Sequence, residues 1–230
     1  MKKILIILIL TTVGLYSCGQ SEKPIPTKVT PSTVKIDSII IDESNIKTKP
    51  YAHDNYIHTE ATYTDTTGKG VIIQNGFPRG GGLIYSAEGT KHYGHAVFWT
   101  RVVNKTEKAL TLNIHFPADS LIIYPSPHAH FKLLVPPDTM TLDKVSKFSY
   151  DLKNIDAFVA SNFYQPSYLE RTIPRNEASS FYVILLSHLP TANRGVSRTG
   201  LFLKEQTLFY RLSSPLGVKL LPCGRIKFKD

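Results

Sequence analysis

The chain has 230 residues, a formal net charge of +9, 42% hydrophobic residues, 12 tyrosines and 11 phenylalanines. That apolar and aromatic content excludes disorder for the bulk of the chain, and the length suffices for one substantial core or two small ones. The basic excess is scattered (Lys144, Lys147, Arg171, Arg175, Arg194, Arg198, Lys227) and builds no basic helix or tract, so nucleic acid is not an expected partner.

The first residues carry an address. Lys2 and Lys3 precede an apolar run from Ile4 to Leu10 and a milder stretch to Leu15. This is the order of a secretory signal peptide, and the uncharged segment falls short of the ~20 apolar residues that a spanning helix needs. Residues 1–17 are therefore read as removed, which lowers the net charge by the two lysines. Leu15, Tyr16, Ser17, Cys18 and Gly19 follow. They resemble the lipobox of bacterial lipoproteins, with an apolar residue at −3, a small residue at −1 and then cysteine; Tyr16 departs from the usual small residue at −2. The resemblance covers only this N-terminal segment. It implies that Cys18 takes a diacylglycerol and that its new amino group takes a further acyl chain. At ~0.8 kcal/mol per buried methylene, two or three chains make a durable anchor. Gly19 is not the aspartate that retains many such proteins in the inner membrane, so the resemblance implies the outer membrane of a Gram-negative cell. The stretch Cys18 to Lys23, in a Lys/Ile-rich context, resembles lipoproteins of the Bacteroidota type.

Residues 18–55 are expected to be a lipid-anchored flexible tether. They are rich in Ser, Thr, Lys and Ile, contain Pro24, Pro26, Pro31 and Pro50, and have no aromatic residue between Cys18 and Tyr51. A flexible coil of ~30 residues spans roughly 30 Å r.m.s.. Val34 to Ile41 is the one patch with strand character.

Residues 56–230 read as a mainly β, antiparallel sandwich-like domain with one short helical segment. His58 to Tyr63 and Val71 to Ile73 flank the turn-like Asp65 to Gly70. Ala96 to Val103 is rich in aromatic and β-branched residues; Asn104 to Glu107 then turns the chain into Leu110 to Phe116, where Leu110, Leu112, Ile114 and Phe116 alternate with Thr111, Asn113 and His115. The two strands are expected to form a hairpin. Further strands are expected at Phe131 to Val135, Ser180 to Ser187, Gly200 to Lys204, Leu208 to Leu212 and Lys219 to Leu221, with a tight hairpin at Lys204 to Thr207. Between Thr141 and Phe163, apolar residues at 142, 145, 148, 152, 155 and 159 recur at three and four, which suits a short helix or isolated helical turns. Many short strands separated by turn residues argue for a sandwich or barrel.

Candidate chemistry is sparse. The glycines of Asn75 to Gly82 complete no phosphate-loop or dinucleotide fingerprint, so a loop needing positive φ is expected there. His92 and His95 stand close together, as do His128 and His130, and an i, i+2 pair on an extended strand projects from one face, where it can grip Zn²⁺ or Cu²⁺ with nitrogens near 2.1 Å. These four are the candidate metal ligands, set against surface or hydrogen-bonding roles. No nucleophile elbow, no Ser-x-x-Lys followed by its partner motifs and no zinc-protease motif is present. Asp138, Asp143 and Asp151 read as turn residues. Tyr164 and Tyr168 are candidates to meet a sugar or peptide, against ordinary packing. With Cys18 acylated, Cys223 has no disulfide partner and reads as a small buried hydrophobe.

The sequence thus points to an envelope lipoprotein that acts by binding or assembly rather than catalysis. Its expected partners are the membrane, through the N-terminal lipid, and a protein or glycan; no cofactor is implied. A histidine metal-binding protein and an envelope hydrolase are the alternatives.

Overall fold

A computed structural model describes residues 46–49, 56–64, 68–87, 91–122, 129–188, 198–214 and 217–229. Cys18, His128 and the Val34 to Ile41 patch lie outside the described residues.

The domain is mainly β, as its alternating segments require, and its strands fall into two antiparallel sheets. The larger sheet contains β1 (Ile46–Thr48), β2 (Ile57–Thr64), β3 (Gly70–Gly76), β4 (Leu83–Ala87), β5 (Lys91–Asn104), β7 (Leu121–Ile122), β8 (His130–Leu134) and β10 (Ala178–His188). Its order is β1-β2-β3-β5-β10-β8-β7, with β4 also pairing on β5. The smaller sheet orders β11 (Arg198–Lys204), β12 (Thr207–Ser214), β13 (Gly217–Phe228), β6 (Leu110–Phe116) and β9 (Ser167–Ile173). The single helix among the described residues is α1 (Ile155–Asn162), and no described helix is long and apolar enough to cross a membrane.

Two apolar layers follow from the period of two. Leu110, Leu112, Ile114 and Phe116 are buried against Phe98, Val102, Phe131, Phe181, Val183 and Leu185 of the larger sheet, forming the core between the sheets. The opposite face of the larger sheet presents Tyr93, Val97, Trp99, Tyr182, Ile184 and Leu186, which are covered by Met140 and, from the helical segment, by Tyr150, Leu152, Val159 and Phe163. Phe181 to Leu186 is consequently buried on both faces, so this strand reads as an unbroken apolar run instead of alternating.

Several expectations hold. β2 and β3 pair antiparallel, as do β11 and β12, where Glu205 takes φ +56 in the tight turn between Lys204 and Thr207. Cys223 is buried at the register shift in β13, where its thiol lies 3.5 Å from the Leu208 carbonyl and burial pushes its pKa up. Gly80 and Gly82 adopt positive φ. The helical segment resolves into a 3-10 turn at Leu142–Lys144, a turn at 148–151 and α1; in the second turn Ser149, Tyr150 and Asp151 are left-handed, with φ of 46°, 53° and 60°. Tyr150 holds that turn by donating its hydroxyl to the Phe77 carbonyl while its own carbonyl accepts from Tyr182 at 2.9 Å.

Two expectations need correction. β5 and β6 form no hairpin: β5 pairs with β3, β4 and β10, whereas β6 pairs with β13 and β9 in the other sheet. The turn between them is an arch, tied by Asn104, whose side-chain amide donates to the carbonyls of Lys108, Ile173 and Pro174 at 2.8–3.1 Å and accepts from the Thr106 backbone at 3.0 Å. In addition, β1 falls inside the stretch read as tether, since Ile46, Lys47 and Thr48 pair with Ala61, Glu60 and Thr59.

The edge of the smaller sheet is stitched to the larger one by side chains. Among the described strands β11 pairs only with β12, which leaves alternate backbone groups on its other side in need of partners. Asn75 of β3, 2% exposed, fills that role for Leu201, accepting from its N–H at 2.8 Å and donating to its carbonyl at 3.1 Å. The same amide donates to Thr59 Oγ1 at 3.0 Å and accepts from Thr100 Oγ1 at 2.9 Å. One step along, the Leu203 N–H donates to the Tyr63 hydroxyl at 3.1 Å.

Candidate functional site

At this stitched edge lies a cavity of about 250 Å³. Arg198, Gly200 and Phe202 alternate along β11 with the core-facing Thr199, Leu201 and Leu203, and the β11–β12 register brings Arg198 opposite Ser213 and Gly200 opposite Arg211. Arg198 and Arg211 are therefore diagonal neighbours on one face. Ile46 of β1 packs on Phe202 and Phe209, and β2 contributes His58 and Thr59. Thr48 and Ser213 add hydroxyls to the lining, and none of the described lining residues is acidic.

The electrostatics follow from that assembly. Burial lowers the pKa of His58, and the Arg198 and Arg211 guanidinium groups lower it further. His58 packs on Phe77 with ring centroids 4.9 Å apart, and the Arg198 guanidinium lies 5.9 Å from the centroid of the same ring. Nη1 of Arg198 and Nδ1 of His58 are buried and find no hydrogen-bond partner among the described residues. Such a site can receive a ligand that supplies acceptors.

A second recess, open and about 830 Å³, lies beside the left-handed turn and is lined by His95, Lys147, Ser149, Asp151 and Asp156 among others. Burial lowers the pKa of His95 against smaller upward pulls from the Gly82 carbonyl and the Asp156 carboxylate. His95 Nδ1 and Ser149 Oγ have no partner among the described residues. Gly80 fits tightly between them: a Cβ there would lie 2.5 Å from Ser149 Oγ and 3.3 Å from His95 Nε2. A serine beside a histidine invites a hydrolytic reading, but Ser149 is 2% exposed, so a substrate carbonyl has no approach to Oγ in this conformation.

The histidines named as metal candidates divide. His92 is exposed and its carbonyl meets His188 Nδ1 at 2.9 Å; His95 sits at the Gly80 loop; His130 stands opposite His188 across the β8–β10 ladder, with ring centroids 6.1 Å apart. No group of three His, Cys, Asp or Glu side chains poised for a metal occurs among the described residues. Tyr164 and Tyr168 are both exposed, and Tyr168 stacks on His115 at 4.6 Å.

Sequence reasoning did not single out His58, Arg198 or Arg211. The available signal was a guanidinium set among apolar neighbours, as Arg211 is between Tyr210 and Leu212. Comparison of the chain with protein-family models, curated proteins and solved structures finds no match in any of the three.

Proposed function

We propose that the protein is a lipid-anchored binding module of the bacterial envelope, held at the outer membrane through Cys18, which takes a ligand into the cavity between β1–β2 and β11–β12. The ligand is a small molecule or the end of a glycan or protein chain. The observation that carries the reading is the pair of buried polar atoms, Arg198 Nη1 and His58 Nδ1, that no described residue satisfies. Leaving a buried group unpaired costs about 1–3 kcal/mol. A fold that retains two of them in one preformed cavity has the character of a site awaiting hydrogen-bond partners. The N-terminal lipobox supplies the anchor in this reading.

Native mass spectrometry of the full chain, extracted from bacterial envelopes in mild detergent, tests it. A co-purifying small molecule is expected on the wild-type protein and is expected to be lost from Ser213→Trp, which fills the cavity. A ligand retained equally by both proteins, or none on the wild type before and after incubation with envelope extract, contradicts the reading.

A further inference from the structure

We propose that the cavity is built to receive an anionic group, a carboxylate or a phosphate, on the guanidinium groups of Arg198 and Arg211 with His58 beside them. This rests on the reading of the cavity as a ligand site and names the chemistry that the site selects. Three side chains able to carry positive charge reach it from β2, β11 and β12, with no carboxylate among the described lining residues. Crowding like charges is unfavourable, and here the strand register enforces it: Arg198 and Arg211 are diagonal neighbours on a paired, half-buried surface. Glu60, on the same strand as His58, is engaged with Gln74 at 2.6 Å and with Lys49 at 3.7 Å.

Geometry favours a planar or tetrahedral oxyanion over a neutral acceptor. A guanidinium offers a fixed fork of donors that matches carboxylate and phosphate oxygens, and such charge-assisted bonds are about twice as strong as neutral ones. Phe77 is a common wall for the Arg198 guanidinium and the His58 ring, limiting how far either can swing away. The cavity, at about 250 Å³, extends beyond a single oxyanion, so the charged group belongs to a larger molecule whose polar part meets Thr48 and Ser213.

His58 adds a readout that a merely structural role would not move. The charged groups acting on it are Arg198 from β11 and Arg211 from β12, with the Phe77 ring against it; on the β1 side Lys49, whose backbone N–H donates to the His58 carbonyl at 2.8 Å, pairs its ammonium with Glu60 at 3.7 Å. Burial is the larger cause of the lowered His58 pKa and the guanidinium repulsion adds to it; an anion between the guanidinium groups offsets that second part, so binding takes up protons and strengthens as pH falls.

Isothermal titration calorimetry of the full chain in nonionic detergent, with inorganic phosphate, glucuronate and glucose as probes, decides the matter. At least one anion is expected to bind, its source class shown by which arm responds, and glucose is not. Arg198→Gln and Arg211→Gln each weaken binding at least about tenfold, and Arg198→Lys, which keeps the charge without the fork, weakens it severalfold. His58→Gln binds at about pH 8 but loses the wild-type gain on acidification to about pH 5.5. Should a glutamine variant fail to fold, judged by its thermal midpoint, Arg198→Lys and the pH profile of the wild type against His58→Gln carry the test. Binding of neither anion, or unchanged affinity in Arg198→Lys with a flat wild-type pH profile, overturns the inference. Binding of glucose alone overturns the anionic assignment while leaving the cavity a ligand site.

Discussion

Asn75→Ala is the perturbation most revealing of how the sheets hold the cavity in shape. The amide satisfies both backbone groups of Leu201 on the free side of β11 and bonds the hydroxyls of Thr59 and Thr100. Alanine leaves the Leu201 N–H and C=O without these partners in a region where Leu201 is fully buried. At about 1–3 kcal/mol per orphaned group, with the hydroxyls free to reorient, the expected cost is about 3–5 kcal/mol, a large part of a typical stability of roughly 5–15 kcal/mol. Asn75→Asp keeps the shape and the accepted bonds but replaces the donor to the Leu201 carbonyl with a second acceptor, so it is expected to be at least as damaging at neutral pH. Asn113→Ala, half-buried on β6, is the control and is expected to cost under about 1 kcal/mol. Denaturant melts of protein lacking the first 18 residues measure all three at constant m-value. An Asn75→Ala cost close to that of Asn113→Ala would refute the stitched edge.

The inter-sheet core predicts that Leu112→Ala, at a fully buried position, costs about 2–5 kcal/mol, while Thr111→Ala costs under about 1 kcal/mol, in the same melts. Lys132, 1% exposed, donates to the carbonyls of Pro117, Ala118 and Gln165, and burial lowers its pKa to about 8 against a weaker upward pull from Asp119. Between about pH 8 and 10.5 the unfolded chain binds more protons at this site than the folded one, so its contribution to stability rises with pH by up to about 1.4 kcal/mol per pH unit. Melts of the wild type minus those of Lys132→Met should show that slope, and a flat difference contradicts the assignment. Cys18→Ser is expected to abolish incorporation of a palmitate analogue and retention in membranes, and labelled Cys18→Ser protein would sink the anchor.

The side chains that face the main core were legible in the sequence, because a period of two separates inside from outside without knowledge of the neighbours. Leu110, Leu112, Ile114 and Phe116 are buried as that pattern requires. Which strand lies beside which is a different matter. A short polar turn such as Asn104 to Glu107 can close a hairpin or arch between sheets, and the choice rests on where the Asn104 amide finds carbonyls, two of them about 70 residues away at Ile173 and Pro174. Strand β1 was hidden because three residues carry too little pattern, and its pairing depends on β2. The cavity was illegible for a related reason: His58 and Arg198 meet only once β2 and β11 are brought together from opposite ends of the domain. The local readings at the glycine loop and at Cys223 needed no such assembly.

Backbone amide shifts in two-dimensional ¹H–¹⁵N spectra of residues 19–230, recorded during titration with the anion that binds in calorimetry, test the ligand cavity most directly. The account predicts that the largest changes fall on His58, Thr59, Thr199 and Gly200, at the junction of β2 and β11. Changes centred instead on His95, Ser149 and Asn154 would move the site to the recess beside the left-handed turn and contradict the account.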